Sequence, residues 1–168
     1  MTEKIIEQLE KNREVFTGLL SGKSSEARTW RPEPGKWNLT EIVCHLLDEE
    51  RYDFRARVRH TLENRSVPPE PIDPEGWVTA RNYAAQDYNP TLEAFLEERS
   101  KSVAWLKSLQ NPDWENTYHH NTFGPMSARL FLTNWLAHDY LHIRQITRYH
   151  YQYLKEKTTI ELRYAGTW

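Results

Sequence analysis

The chain has 168 residues, a formal net charge of −2 and one cysteine, so it is expected to fold as one domain, residues 1–168, without a disulfide. Because the net charge is near zero and no block of five like charges occurs, nucleic acid is not expected as a partner. No apolar run forms a signal core or reaches the length of a membrane span, and the lone cysteine suits a reducing compartment, which together predict a cytoplasmic protein without a membrane partner.

The first half of the chain predicts two helices. Apolar residues recur with a 3.6-residue period over residues 3–21. The second helix is predicted to begin at Asn38, because Glu41 three residues later completes a capping box, and its apolar positions continue to Leu62. The charged residues between Asp48 and Arg59 imply that the second half of this helix is more exposed than the first.

A proline-rich connection, residues 65–89, follows the second helix. A connection of this length in a compact domain usually crosses over the fold or carries a function. Asp73 and Pro74 resemble an N-cap and a first helical residue, so a short helix is predicted inside the connection.

Two further helices complete the pattern. The third is predicted to start with Asn89-Pro90 as N-cap and first residue and to end at Asn111-Pro112. The fourth is predicted to start near Gly124-Pro125 or at Ser127 and to end near Tyr153. Four amphipathic helices with one long connection predict an all-α four-helix bundle in which the second and third helices run parallel.

Two histidines lie four residues apart in the fourth helix. His138 and His142 project from the same helical face, and that face carries the apolar stripe. His45 lies at the edge of the apolar stripe of the second helix. The three side chains are candidate ligands of one divalent ion with an open position, as in catalytic zinc sites. The alternative is that each is a hydrogen-bonded core residue.

Two polar residues are candidates to support these ligands. Asp48, one turn after His45, is in a position to orient its ring, with a solvated carboxylate as the alternative. Gln145 shares the face of the paired histidines and is expected to orient a ligand or border the pocket, with core packing as the alternative. Asp139 points about 100° away from His138 and is not expected at the same ion.

The remaining histidines and the cysteine carry weaker signals. His119 and His120 are predicted to lie in a loop before the last helix, at the surface or along a pocket. His60 and His150 are expected to be solvated helix residues. Cys44 is adjacent to a candidate ligand and therefore faces elsewhere, so it is expected to be a buried small hydrophobe without a chemical role.

Three segments together resemble the DinB/YfiT superfamily. They are Trp-Arg-Pro and Gly-Lys-Trp-Asn within residues 30–38, Glu-Ile-Val-Cys-His-Leu-Leu-Asp at 41–48, and His-Asp-Tyr-Leu-His-Ile-Arg-Gln-Ile at 138–146. The resemblance covers nearly the whole chain. It implies an up-down-down-up four-helix bundle, which agrees with the long crossover predicted between helices two and three.

The resemblance also implies a metal centre and an activity. One histidine of the second helix and two of the fourth would hold a divalent ion, at the positions of His45, His138 and His142. Zinc is the expected ion, with nickel, manganese and iron as alternatives. Members of the family include transferases and isomerases that use low-molecular-weight thiols, while others are called metal-dependent hydrolases. A small-molecule substrate and a homodimer are therefore expected.

Three functional hypotheses follow. A thiol S-transferase that uses a low-molecular-weight thiol is preferred, because a thiolate is itself the nucleophile and the sequence offers no obvious carboxylate base to activate water. A metal-dependent hydrolase and a non-enzymatic metal- or small-molecule-binding stress protein are the alternatives. The pocket mouth is expected near the loops carrying Trp30, Trp37 and His119, and the dimer interface on an aromatic-rich helical face.

Overall fold

The structure, a computed structural model, describes residues 1–63, 68–120 and 122–166. In chain order, the elements are α1 (Thr2–Leu20), α2 (Ser25–Thr29), α3 (Leu39–Asp48), α4 (Arg55–Leu62), α5 (Pro74–Ala80), α6 (Tyr88–Ser108), β1 (Thr117–His120), β2 (Gly124–Ser127) and α7 (Ala128–Thr158). A π-helical turn, Glu49–Phe54, joins α3 to α4, so the two form one continuous helical segment. The four long segments of the bundle are therefore α1, α3–α4, α6 and α7.

Two clusters of buried apolar residues fix the directions of these segments. One cluster joins the end of α1 to the starts of α3 and α6 and the second half of α7. Its members include Phe16, Leu20, Leu39, Ile42, Leu92, Phe95, Ile146 and Tyr149. The other joins the start of α1 to α4, the end of α6 and the start of α7. Its members include Ile5, Leu9, Phe54, Val58, Val103, Leu106, Phe131 and Trp135. The α3–α4 segment and α6 are thus parallel to each other and antiparallel to α1 and α7, which confirms the up-down-down-up bundle.

Helix starts follow the local capping chemistry. The predicted capping box is present, since Asn38 Oδ1 accepts from the Glu41 amide at 2.9 Å and Glu41 Oε2 accepts from the Asn38 amide at 2.8 Å. Ser127 caps α7, which confirms the later of its two predicted starts. The third bundle helix begins two residues before its predicted first residue, with Asp87 rather than Asn89 at the N-cap position.

The connection between α4 and α6 contains the predicted short helix, α5. Residues 65–67, part of this predicted connection, lie outside the described residues. The connection is held against α3 by Asp48, which accepts a 2.5 Å hydrogen bond from the Tyr83 hydroxyl and lies 2.8 Å from Nη1 of Arg81. The Arg81 guanidinium also lies 4.4 Å from the centre of the Trp77 ring. A carboxylate, a cation and an aromatic ring thus fix the crossover.

The second half of the α3–α4 segment is more exposed than the first, as predicted, since Tyr52, Ala56 and Arg59 are exposed while nearly all of Leu39–Asp48 is buried. Three of its acidic residues, Glu49, Glu50 and Asp53, are nevertheless buried. Arginines on α4 and α6 pair with two of these carboxylates, which offsets the cost of their burial. His60, predicted to be solvated, is also buried and packs edge-on against the Tyr118 ring.

A β-hairpin precedes α7 where a loop was predicted. β1 and β2 pair antiparallel, with Thr117 opposite Ser127 and His120 opposite Gly124. His119 and His120 therefore lie on a strand. At the other end, α7 extends beyond its predicted end at Tyr153, and the last two residues of the tail lie outside the described residues. No helix in the described ranges combines the length and apolarity needed to cross a membrane.

Candidate metal centre

Three histidine rings converge between α3 and α7. His45 Nε2 lies 3.2 Å from His138 Nε2, and His142 Nε2 lies 3.0 Å from the same atom. One ring nitrogen of each histidine lies within 4.8 Å of a ring nitrogen of each of the other two. The structure thus brings together the three residues that the sequence selected as candidate ligands, two of them one helical turn apart.

Aromatic side chains enclose this cluster. The Trp37 ring centre lies 4.9 Å from that of His45, and the Phe54 ring centre lies 5.0 Å from that of His138. His45 and His142 are buried, while His138 is partly exposed. The histidine nitrogens therefore meet in a mainly apolar enclosure with access from the side of His138.

Gln145 sets the protonation of one ring. Its Oε1 lies 2.8 Å from Nδ1 of His142. A carboxamide oxygen can only accept, so Nδ1 carries the proton and the lone pair of His142 lies on Nε2, the atom that faces His138. This is the contact that the predicted orienting role of Gln145 requires.

The donor set suits a cation. His138 Nε2 has two short contacts, one with His142 Nε2 and one with His45 Nε2. Because His142 Nε2 carries a lone pair, a hydrogen bond between these atoms requires a proton on His138 Nε2. That single proton cannot also form the contact with His45. A single divalent ion would accept all three lone pairs. Nitrogens bound about 2.0–2.1 Å from a tetrahedral ion lie about 3.4 Å apart, close to the two observed separations. The residues present therefore fit a divalent ion.

Burial keeps these rings in the neutral form that binds metals. It is the main cause that lowers the pKa of His45 to about 3 and that of His138 to about 2, with smaller contributions from neighbouring histidines. Burial also lowers the pKa of His142, against the opposing effect of the Gln145 hydrogen bond. At neutral pH all three rings are therefore neutral, each with one nitrogen lone pair that can bind a metal.

Asp48 does not have the contact that was predicted for it. It accepts from Tyr83 and pairs with Arg81 of the crossover. Nδ1 of His45 is buried and has no hydrogen-bond partner among the described residues. The two strong partners in the connection hold the Asp48 carboxylate, so its role in the structure is to fix the crossover rather than to orient the His45 ring.

A buried ionic network lies beside the cluster, around Asp139 of α7. The Arg99 guanidinium donates to both carboxylate oxygens of Asp139 at 2.7 and 2.8 Å and to Glu50 at 3.0 Å. Asn12 also donates to Asp139, and the Trp135 indole donates to Glu50. Asp139 points away from the ion site, as its helical position predicted. The network ties α1, α6 and the π-helical turn to α7 at the residue next to His138.

An apolar cleft of about 580 Å³ opens beside His138. Its walls come from α4, α7, the hairpin and the connection, and they include Phe54, Phe131, Met126 and Leu141. His120 lines this cleft, whereas His119 is exposed.

One carboxyl group, that of Asp53, lies at the polar edge of this cleft, and a second, that of Glu49, interacts with it. Asp53 lines the cleft together with Arg57, whose guanidinium bonds to the Asp53 carboxylate. Burial, followed by the adjacent charge of Asp53, raises the pKa of Glu49 to about 8. The sequence did not point to this pair, because a charged stretch of helix is expected to be the more exposed part.

A second, more polar cavity of about 300 Å³ lies further along α7. Its lining includes Trp37, Gln145, Lys36 and Arg148. Trp37 lines this cavity, and Trp30, which packs edge-on against Tyr149 at 5.0 Å between ring centres, lines a separate one. Neither residue nor His119 lines the cleft at His138, so the prediction of one pocket mouth near all three was wrong.

The thiol of Cys44 does not act as a nucleophile near neutral pH. The thiol is buried, and its burial, with nearby carboxylates, raises its pKa to about 12. It therefore stays protonated near neutral pH, in line with the role expected from its sequence position.

A profile of the DinB superfamily matches residues 8–146, which contain all three converging histidines. The chain belongs to the DinB superfamily. A comparison with curated proteins finds no match.

Among solved structures, the fold of this DinB chain matches YfiT from Bacillus subtilis. The TM-score is 0.78 over 95% of this chain and 89% of YfiT, at 18% sequence identity. YfiT is described as a probable metal-dependent hydrolase with an unusual four-helix bundle topology. At this identity the likeness supports the fold, and the chemistry must be argued from the histidine cluster and its cavities.

Proposed function

We propose that the protein is a metal-dependent enzyme that transfers a low-molecular-weight thiol to a small molecule, with His45, His138 and His142 as metal ligands. Zinc is the expected ion, with nickel, manganese and iron as alternatives. Superfamily membership and the convergence of three neutral imidazoles support a metal-dependent reaction. The choice of thiol transfer rests on the cavities around the cluster.

The observation that carries this choice is the order of the two cavities along α7. The apolar cleft includes α7 residues up to Leu141, and the polar cavity begins at Gln145, with His142 between them. A transferase must hold two substrates, whereas a hydrolase holds one substrate and water. The cations of Lys36 and Arg148 suit a thiol that carries a carboxylate, and the apolar cleft suits the second substrate.

The protein side chains have defined tasks in this scheme. When bound, a divalent ion lowers the pKa of a thiol or of water that it coordinates, so that a nucleophile exists near neutral pH. Gln145 holds His142 in the tautomer with its lone pair on Nε2. Trp37 and Phe54 limit the access of water to the rings.

A metal-dependent hydrolase is the second candidate, and one observation favours it. Asp53 lines the same cleft as His138, so a carboxylate that could accept a proton from water lies in the cavity. This weakens the sequence-based argument that no such base exists. Burial raises the pKa of Asp53, and the bond from Arg57 opposes this effect only in part. Thiol transfer remains the preferred proposal because two cavities adjoin the histidines.

The third hypothesis, a non-enzymatic binding protein, would be favoured by a sealed site. Among the described residues, the ligand group consists of three histidines with no fourth His, Cys, Asp or Glu. An ion held by three ligands keeps an open position, which favours an enzyme.

Cobalt substitution distinguishes these candidates. Cys44→Ala removes the only thiol of the chain, so any sulfur-to-metal band in this variant must come from an added thiol. We expect cysteine or glutathione to produce such a band, and S-methylcysteine, which has no thiol, to produce none. If no thiol changes the spectrum while the protein hydrolyses a nitrophenyl ester in a cobalt-dependent way, the hydrolase candidate replaces the transferase.

A further inference from the structure

The cleft beside His138 concentrates exposed apolar surface. Phe123, Leu130 and Leu141 are 72%, 37% and 54% exposed, and all three line it. Its deeper wall contains the buried rings of Phe54 and Phe131. Apolar side chains held at an open cavity favour an apolar occupant, because its binding removes their surface from water.

The shape of the cleft suits a small molecule. Four separate parts of the fold form its walls, namely α4, α7, the β-hairpin and the connection near Ile72. Its volume of about 580 Å³ lies within the range of about 300–1,000 Å³ that is typical of ligand pockets. A concave cavity with walls from several elements can enclose a small molecule on several sides.

The charges of the cleft are balanced. Arg57 and Asp53 both line it, and they bond to each other. The other polar side chains in its wall, apart from His138, are His120 and Asn134, which can exchange hydrogen bonds with a polar group. The side chains of the cleft offer a charged ligand no free counter-charge for the hydration that it would lose, so they favour an uncharged one. An ion held by the three histidines would add its charge only at the His138 end.

We infer that this cleft binds an uncharged, predominantly apolar small molecule, held against the His138 side of the histidine cluster. Its identification as the acceptor of the thiol rests on the proposed function. The binding itself rests on the volume, the apolar walls and the Arg57–Asp53 pair.

N-phenyl-1-naphthylamine, an uncharged dye that fluoresces in apolar surroundings, tests the binding. We expect one equivalent to bind the wild type, with affinity lowered at least tenfold in Leu130→Asp and in Leu141→Asp. Leu154→Asp is the matched control, because Leu154 lies on the same helix and is 51% exposed but does not line the cleft. All three positions are exposed, so the substitutions should leave the fold intact, which circular dichroism checks.

Competitors of one shape and different charge test the preference for an uncharged ligand. 1-Naphthylmethanol should displace the dye at least tenfold more effectively than 1-naphthoate or 1-naphthylmethylammonium. Asp53→Asn leaves the Arg57 cation without its partner, so this variant should shift the preference toward 1-naphthoate. Equal competition by all three compounds in both proteins would contradict the argument from charge balance.

Two further results would overturn the inference. If both cleft variants bind the dye as the wild type does, the cleft is not the binding site. If the wild type binds no dye and sediments as a dimer that Leu141→Asp converts to a monomer, the apolar face is a subunit interface.

The cobalt spectrum separates failure of this inference from failure of the proposed function. If the thiol-dependent band persists in Leu130→Asp while neither the wild type nor any variant binds the dye, only the inference about the cleft is wrong. If the dye binds but no thiol changes the cobalt spectrum, only the proposal of thiol transfer is wrong.

Discussion

Nε2 of His45 lies 3.2 Å from Nε2 of His138, although 93 residues separate them in the chain. This contact joins α3 to α7 across the bundle, so it depends on how α7 is rotated and held. Asp139, next to His138, is fully buried and bound by Arg99. The ionic network around Asp139 therefore helps to position the neighbouring histidines.

Removal of Arg99 should destabilise the protein severely. Arg99→Met leaves the carboxylates of Glu50 and Asp139 buried without their cation, which is expected to cost about 3–5 kcal/mol in the free energy of unfolding. The triple variant Arg99→Met, Glu50→Gln, Asp139→Asn should recover most of this loss, because no charge remains buried. Urea denaturation measures both values.

Lys107→Met on the same helix is the control for this prediction. Lys107 pairs with Glu10 at the surface, so its loss should change stability by at most about 1 kcal/mol. If Arg99→Met cost no more than Lys107→Met, the network would not hold α7 as described.

Gln145→Leu should weaken metal binding more than it weakens the fold. The substitution removes the acceptor of the His142 Nδ1 proton, and loss of such a supporting hydrogen bond typically lowers metal affinity about 10–100-fold. Gln152→Leu, two turns along α7 in the lining of the same polar cavity, should leave the affinity unchanged. Competition with a chromogenic chelator measures the affinity, and a purely thermal effect of Gln145→Leu would indicate a packing role.

The metal-free protein should lose stability in acid because of its buried histidines. In the unfolded chain His45 and His138 take up protons as the pH falls through 6.5, whereas burial lowers their folded pKa values to about 3 and about 2. Between these values the unfolded state binds more protons, so stability falls with decreasing pH by up to about 1.4 kcal/mol per pH unit for each histidine. Above pH 6.5 the two residues contribute no slope.

Urea denaturation of chelator-treated protein at pH 7.5, 6.0 and 5.0 tests this slope. The double variant His45→Gln, His138→Gln should lose less stability than the wild type between pH 6.5 and 5. His119→Gln, at an exposed position on β1, should follow the wild type. Identical pH dependence in all three proteins would show that the two buried histidines titrate normally.

Much of the fold was predictable because its signals are local. The capping box of Asn38 and Glu41, the short helix α5 and the start of α7 after Ser127 each depend on residues within one turn of each other. The β-hairpin was missed because its strands have four residues each and one contains Pro125, which leaves too little alternation to recognise.

The histidine cluster was predictable from spacing and apolar surroundings, but its neighbours were not. Glu50 was expected in the more exposed part of its helix, and no partner was predicted for Asp139, because the arginine that binds both, Arg99, is 49 and 40 residues away in the sequence. Asp48 was assigned to His45 from helical spacing, although stronger partners lie in the crossover. The environment of a charged side chain depends on contacts between elements that are distant in the sequence. The spacing of residues within one helix cannot predict such contacts.

Elemental analysis of the purified protein tests the central claim, that His45, His138 and His142 hold one divalent ion. The account predicts one equivalent of metal in the wild type and in His119→Ala, and less than about a tenth of an equivalent in His45→Ala and in His138→Ala, with helix content near that of the wild type. One equivalent of tightly bound metal in both single variants would contradict it.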